Sequence, residues 1–211
     1  MPYSPRARVA AVVALLSAPG GMDDGMALAA NYLETHPDDY AVAGVLGVAM
    51  VRRGSGDAGM RYVEQGLLAD KPELDVAYFM AMRADRDGNA QEARQFLDVE
   101  MKHHPLNRKA AMMQITMLGK FEDWPALVEL AKFWSEKEPE NQVLAHNHAQ
   151  AVFNTGDYAR TRTILDAALK GFPSDARLVL LDANLLAKEG RQELGQKRFA
   201  EAQKLQAAEQ P

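Results

Sequence analysis

Five histidines, several adjacent carboxylates and an uneven spread of bases are the groups in this chain able to do chemistry. His146 and His148 stand two apart, so on a helix they project to different sides and do not share a metal ion. His36 precedes Pro37, and His103-His104 precede Pro105. An imidazole placed there meets the last carbonyls of a helix, which is a structural task. Asp23-Asp24 and Asp38-Asp39 fall where helices begin, and negative charge there complements the helix dipole. No Gly-x-Ser-x-Gly, phosphate-loop or His-Glu-x-x-His pattern occurs. The absence of cysteine excludes disulfides, thiolate metal sites and thiol nucleophiles. The residues therefore predict no catalytic site, no cofactor and no metal.

The elements that carry these residues are legible from five prolines. They stand at positions 37, 72, 105, 139 and 173, with spacings of 35, 33, 34 and 34. A proline ends a helix because it lacks the backbone N–H and restricts the residue before it. A beat near 34 is that of a helix–turn–helix unit copied in tandem. Turns lie between the prolines at Gly54–Asp57, Asp87-Gly88-Asn89, Glu122-Asp123-Trp124 and Thr155–Tyr158, and after the last of them at Glu189-Gly190-Arg191. In the cleanest unit Gly156 supplies the left-handed residue that closes one helix, and Asp157 caps the next. Pro125 sits at the start of a helix, where its missing N–H costs nothing.

With its bulky and small residues in the first helix, an aromatic after the turn and a closing proline, the chain resembles the tetratricopeptide repeat family. Gly47, Ala149 and Ala183 match the small position of the first helix. Tyr158 and Trp124 match the aromatic past the turn, and Ala168 matches the small position late in the second helix. The resemblance covers residues 1–211 as a single array of six repeats, about 5–37, 38–72, 73–105, 106–139, 140–173 and 174–208. It implies an all-α fold, a right-handed superhelical solenoid of about twelve antiparallel hairpin helices. Trp134, where a small residue is usual, and the uneven second and third repeats depart from the pattern.

The resemblance further implies that the first helices line a concave binding face, as stacked repeats generally provide. Mapped onto this chain, the apolar positions of that face are Val45, Val48, Val51, Val76, Phe79, Met80, Met112, Met113, Val143, Phe153, Leu180 and Leu181. Its charged positions are Arg52, Arg83, Arg86, Asp87, Lys109, Lys120, Arg177 and Lys188, seven of the eight basic. The whole chain, by contrast, has 29 acids against 24 bases and a net charge of −5. The expectation is a non-catalytic scaffold that holds an acidic or amphipathic segment of a partner protein, with Phe79, Met80, Arg83, Met112, Met113, His146, Asn147, Phe153 and Arg177 as contacts. Flexible methionines suit partners of variable shape. The clamp for chaperone tails known in the family is broken by Met112, Thr116 and Leu181. The acidic balance argues against a nucleic-acid partner, and no apolar run approaches the length of a membrane span.

Residues Val9–Leu16 admit two readings. Preceded by Arg6 and Arg8 and followed by Ser17–Gly20, they resemble a short secretory signal. They also fall in phase as the first helix of the first repeat, which is the favoured reading and places the protein in the cytoplasm. The signal reading makes it a periplasmic assembly factor for pili or polysaccharide export, and a regulatory subunit of a separate enzyme is a further alternative. As a helix the segment is apolar all round. Val9, Val12, Val13 and Leu16 are then expected to form an edge for self-association or docking.

Overall fold

Short helices punctuated by glycine, proline and capping residues are what this sequence dictates. The computed structural model describes residues 4–209, without the side chains of Pro5 and Glu209. The first three residues of the signal reading lie outside the described residues. Twelve helices and no strand occur among those described. They are α1 Pro5–Ser17, α2 Met22–Thr35, α3 Tyr40–Arg53, α4 Gly56–Gly66, α5 Val76–Arg86, α6 Ala90–His103, α7 Arg108–Lys120, α8 Trp124–Lys137, α9 Gln142–Asn154, α10 Tyr158–Gly171, α11 Ala176–Lys188 and α12 Gln192–Glu209. The fold is all-α, with helices paired as tandem hairpins that pack on their sequence neighbours.

The chain forms two units, Met1–Gln114 and Ile115–Pro211. In the N-terminal unit, Val9 and Val12 of α1 join Ala29, Leu33, Val42 and Leu46 in one core. A second core holds Val48, Val63, Val76 and Met80. In the C-terminal unit, Ala149, Leu165, Leu178, Leu181 and Leu185 form the apolar centre of the last two hairpins. The buried Asp182 carboxylate there is held by Arg162 at 2.5 Å and Arg198 at 2.7 Å, so its charge is paired rather than stranded.

Turn chemistry sets the helix ends. Gly54, Gly88, Gly156 and Gly190 close first helices at φ between 78° and 96°. The equivalent residue between α7 and α8 is Glu122, at φ 54°. A side chain in the left-handed region is strained by about 1–2 kcal/mol. Glycine recovers that strain, less what it adds to the freedom of the unfolded chain. Glu122→Gly is accordingly expected to stabilise the protein by about 0.5–1 kcal/mol, measured by urea unfolding.

First helices are introduced by an Asp or Asn at 39, 75, 107, 141 and 175, spaced 36, 32, 34 and 34. Four of the five side chains accept amides of the helix that follows. Asp75 does not. Helix α4 stops after 11 residues where α2, α6, α8 and α10 run for 14. The chain then runs irregularly to Asp75, which itself lies in the left-handed region at φ 72°. Glu100 of α6 takes over the capping duty. Fully buried, it accepts the amide N–H of Asp75 at 2.9 Å and of Tyr78 at 3.2 Å, and Asn107 Nδ2 at 2.7 Å. The uneven second and third repeats are thus a register break at one place.

Candidate interaction surface

The expected contact residues divide between the two units. On α5, Phe79 is half-buried against the Val48–Val63–Val76–Met80 core, its ring 5.7 Å from that of Tyr78. Met80 is 5% exposed and belongs to that core, so it stiffens α5 rather than presenting a surface. Met112 and Met113 on α7 are half-buried. In the C-terminal unit, Phe153 is half-buried beside Tyr158, with ring centres 5.5 Å apart. His146 and Asn147 are half-buried on α9. Both units therefore leave first-helix apolar or polar groups partly open to solvent while spending others on packing. Helix periodicity alone does not separate the two populations.

At least five of the seven basic residues lie within 4 Å of a carboxylate. Arg52 pairs with Asp75, and Lys109 Nζ lies 3.9 Å from the same carboxylate. Arg83 pairs with Glu64, and Arg86 lies 3.9 Å from Asp87. Arg177 lies 2.7 Å from Asp175, the cap of its own helix. Burial pushes the Asp175 carboxyl upward, but the Arg177 and Leu178 hydrogen bonds outweigh it and leave the group below its ordinary value. Asp75, Asp175 and Glu64 lie at helix starts and on a second helix, which a count over first helices misses. The basic excess is consequently partly offset, with Arg86, Lys109 and Arg52 remaining open at 75%, 60% and 47% side-chain exposure.

The histidines behave as structural groups. His104 Nε2 lies 2.8 Å from the Pro72 carbonyl. His36 stacks on Tyr32 at 4.3 Å and meets the Tyr32 carbonyl, the end of α2. Among the described residues no group of three or more candidate ligands gathers for a metal ion. No described helix is long and apolar enough to cross a membrane.

His146 and His148 are both held below the ordinary histidine value. Burial is the first cause for each, followed by the Arg177 cation beside His146 and the Arg160 cation beside His148. Unfolded, each histidine binds its proton more readily than when folded. Stability is therefore complete above about pH 6.5 and falls as the pH drops from there toward the lowered folded values. Chemical denaturation between pH 7.5 and 5 is expected to show this slope, and His146→Gln with His148→Gln should flatten it.

The apolar N-terminal edge is largely an internal surface. Val9 and Val12 are 9% and 4% exposed and pack on α2 and α3, and Leu16 is half-buried beside Gly25. Only Val13, at 42%, faces solvent among the four expected residues. The other outward apolar positions of α1 are Ala7, Ala10, Ala11, Ala14 and Leu15, the last 37% exposed.

No family sequence model matches the chain, and no curated protein matches it by sequence. Solved structures do match. MamA from AMB-1 aligns with a TM-score of 0.64 at 20% identity, over 80% of this chain and 92% of that one. MamA from Desulfovibrio magneticus RS-1 aligns with 0.63 at 14% identity, over 82% and 97%. YrrB, described as a TPR protein with an unusual peptide-binding site, aligns with 0.70 at 13% identity, over 86% and 93%. At these identities the likeness is one of fold.

Proposed function

We propose that this chain, which has the tetratricopeptide repeat fold, is a non-catalytic scaffold that binds a segment of a partner protein on its first-helix faces. The observation that carries this is the half-open side chains that each unit leaves on its first helices, Phe79, Met112 and Met113 in one and His146, Asn147 and Phe153 in the other. None of these is needed to close a core in the way Met80 is. YrrB, a neighbour in fold, has a peptide-binding site, which supports the same use here. A partner with acidic character fits the exposed ammonium of Lys109 and the guanidinium of Arg52, although their pairing with Asp75 moderates the preference. The proposal extends to a partner polypeptide and not to a second copy of the chain.

The test is affinity capture from native cells with the intact protein and with Phe79→Glu/Arg83→Glu, both checked for an unchanged helical spectrum. Partners held by the intact protein should be lost in the variant. Retention of every partner by a folded variant sinks the assignment of this face. The mass of the same bait settles location. Helix α1 supplies Val9 and Val12 to the core, so the bait is expected to keep residues 5–17 and reside in the cytoplasm.

A further inference from the structure

The register break before α5 leaves two adjoining depressions in the N-terminal unit. One, of about 160 Å³, is lined by Val13, Leu16, Met22, Val45, Val48 and Ala49. The other, of about 570 Å³, is lined by His104, Leu106, Arg108 and Lys109. Arg52 and Leu74 border both. Because α4 ends early and the chain runs on to a displaced Asp75, Leu74 is carried out to 50% exposure between the two. Leu106 stands at 63% on the far side.

The charge around the second depression is uneven. Asp75 is 3% exposed, and its carboxylate is turned inward, accepting Asn107 Nδ2 at 2.7 Å and the Arg52 guanidinium. The cations that neutralise it remain open to solvent on their outer sides, Arg52 at 47% and Lys109 at 60%. On this lining Arg52 and Lys109 outnumber the buried Asp75 carboxylate, while Glu73 lies on the neighbouring one. Next to it lies a small pocket sized for a single side chain, mostly apolar, with Ser17, Arg52 and Glu73 at its polar positions.

We propose that this notch binds an extended peptide segment carrying one large apolar side chain and, within a few residues, an acidic one. The apolar group enters between α1 and α3, and the carboxylate lies over Arg52 and Lys109. Such pairing fixes register and partner choice more than it adds raw affinity. The inference rests on the scaffold reading above and gives the Arg52 and Lys109 cations of that reading a specific ligand.

The probe is a displayed library of short linear peptides selected on the intact protein, followed by fluorescence anisotropy of the enriched sequences. Enriched peptides should pair a large apolar residue with a nearby Asp or Glu. Leu74→Ser and Lys109→Gln, both at exposed sites and verified by thermal melting, should each weaken binding about tenfold. The intact protein should prefer a Glu peptide to its Gln analogue, and Lys109→Gln should lose that preference. Peptides that bind both variants normally but fail on Phe79→Glu overturn the notch and leave the scaffold reading standing. A selection that enriches nothing overturns both.

Discussion

Gly47→Ala should lower the stability of the N-terminal unit by about 3 kcal/mol, the largest loss for the smallest change in this chain. A Cβ at Gly47 would collide with the Val63 amide nitrogen, and would lie 2.8 Å from the Tyr62 carbonyl carbon and 2.9 Å from the Gly59 oxygen. All three are backbone atoms of α4, so no rotamer change relieves the contact. The same interface is tight at Gly59, where a Cβ would meet the Val51 nitrogen at 2.8 Å, and at Gly66, where it would meet the Gly44 Cα at 2.5 Å. Four glycines thus let α3 and α4 approach closely enough that their backbones touch. Gly119→Ala is the control. Nothing lies within 4 Å of its Cβ position, so alanine there should stabilise by about 0.5–1 kcal/mol through lower unfolded-state entropy. Urea denaturation of the two variants reads the contrast, and equal effects would remove the close-packing account.

Glu100→Ala carries the second large effect, a loss of about 3 kcal/mol. The Glu100 carboxylate is buried and serves three donors, the amides of Asp75 and Tyr78 and the side-chain amide of Asn107. Removing it strands those donors in the interior, where each unpaired group costs about 1–3 kcal/mol. Glu100→Gln retains an acceptor for Asp75 and Asn107 but turns an NH₂ toward the Tyr78 N–H, so about 1–2 kcal/mol is expected. Hydrogen exchange gives a local check. The amides of Asp75 and Tyr78 should lose protection in Glu100→Ala before the remainder of α5 does. Uniform loss along α5 would contradict a capping role.

These two sites mark where the sequence was readable and where it was not. Local rules were legible because their causes lie within a few residues. Prolines 37, 72, 105, 139 and 173 fall between hairpins, and Asp157 caps α10 through the Arg160 amide at 3.0 Å. The break at Asp75 was visible only as uneven spacing. Its resolution depends on Glu100, which lies 25 residues away. The basic face illustrates the same limit. Arg83 finds Glu64 on α4 and Arg52 finds Asp75, contacts that no periodicity along one helix reports. Met80 and Met112 share a residue type and a helix-face assignment, yet the first is core and the second half-open. For α1 the apolar pattern was read correctly as helix. Val9 and Val12 pack into the core with α2 and α3, while Val13 stays exposed.

The central claim is that first-helix faces hold a partner segment, and methyl NMR of ¹³C-methionine-labelled protein tests it most directly. The chain has 11 methionines, which report from distinct places. On titration with a purified captured partner, the Met112 and Met113 methyls should shift, while the buried Met80 methyl stays near its free position. A shift at Met22, which lines the notch, would accompany them if both contacts are made. Saturable binding with Met112 and Met113 unmoved would contradict the account.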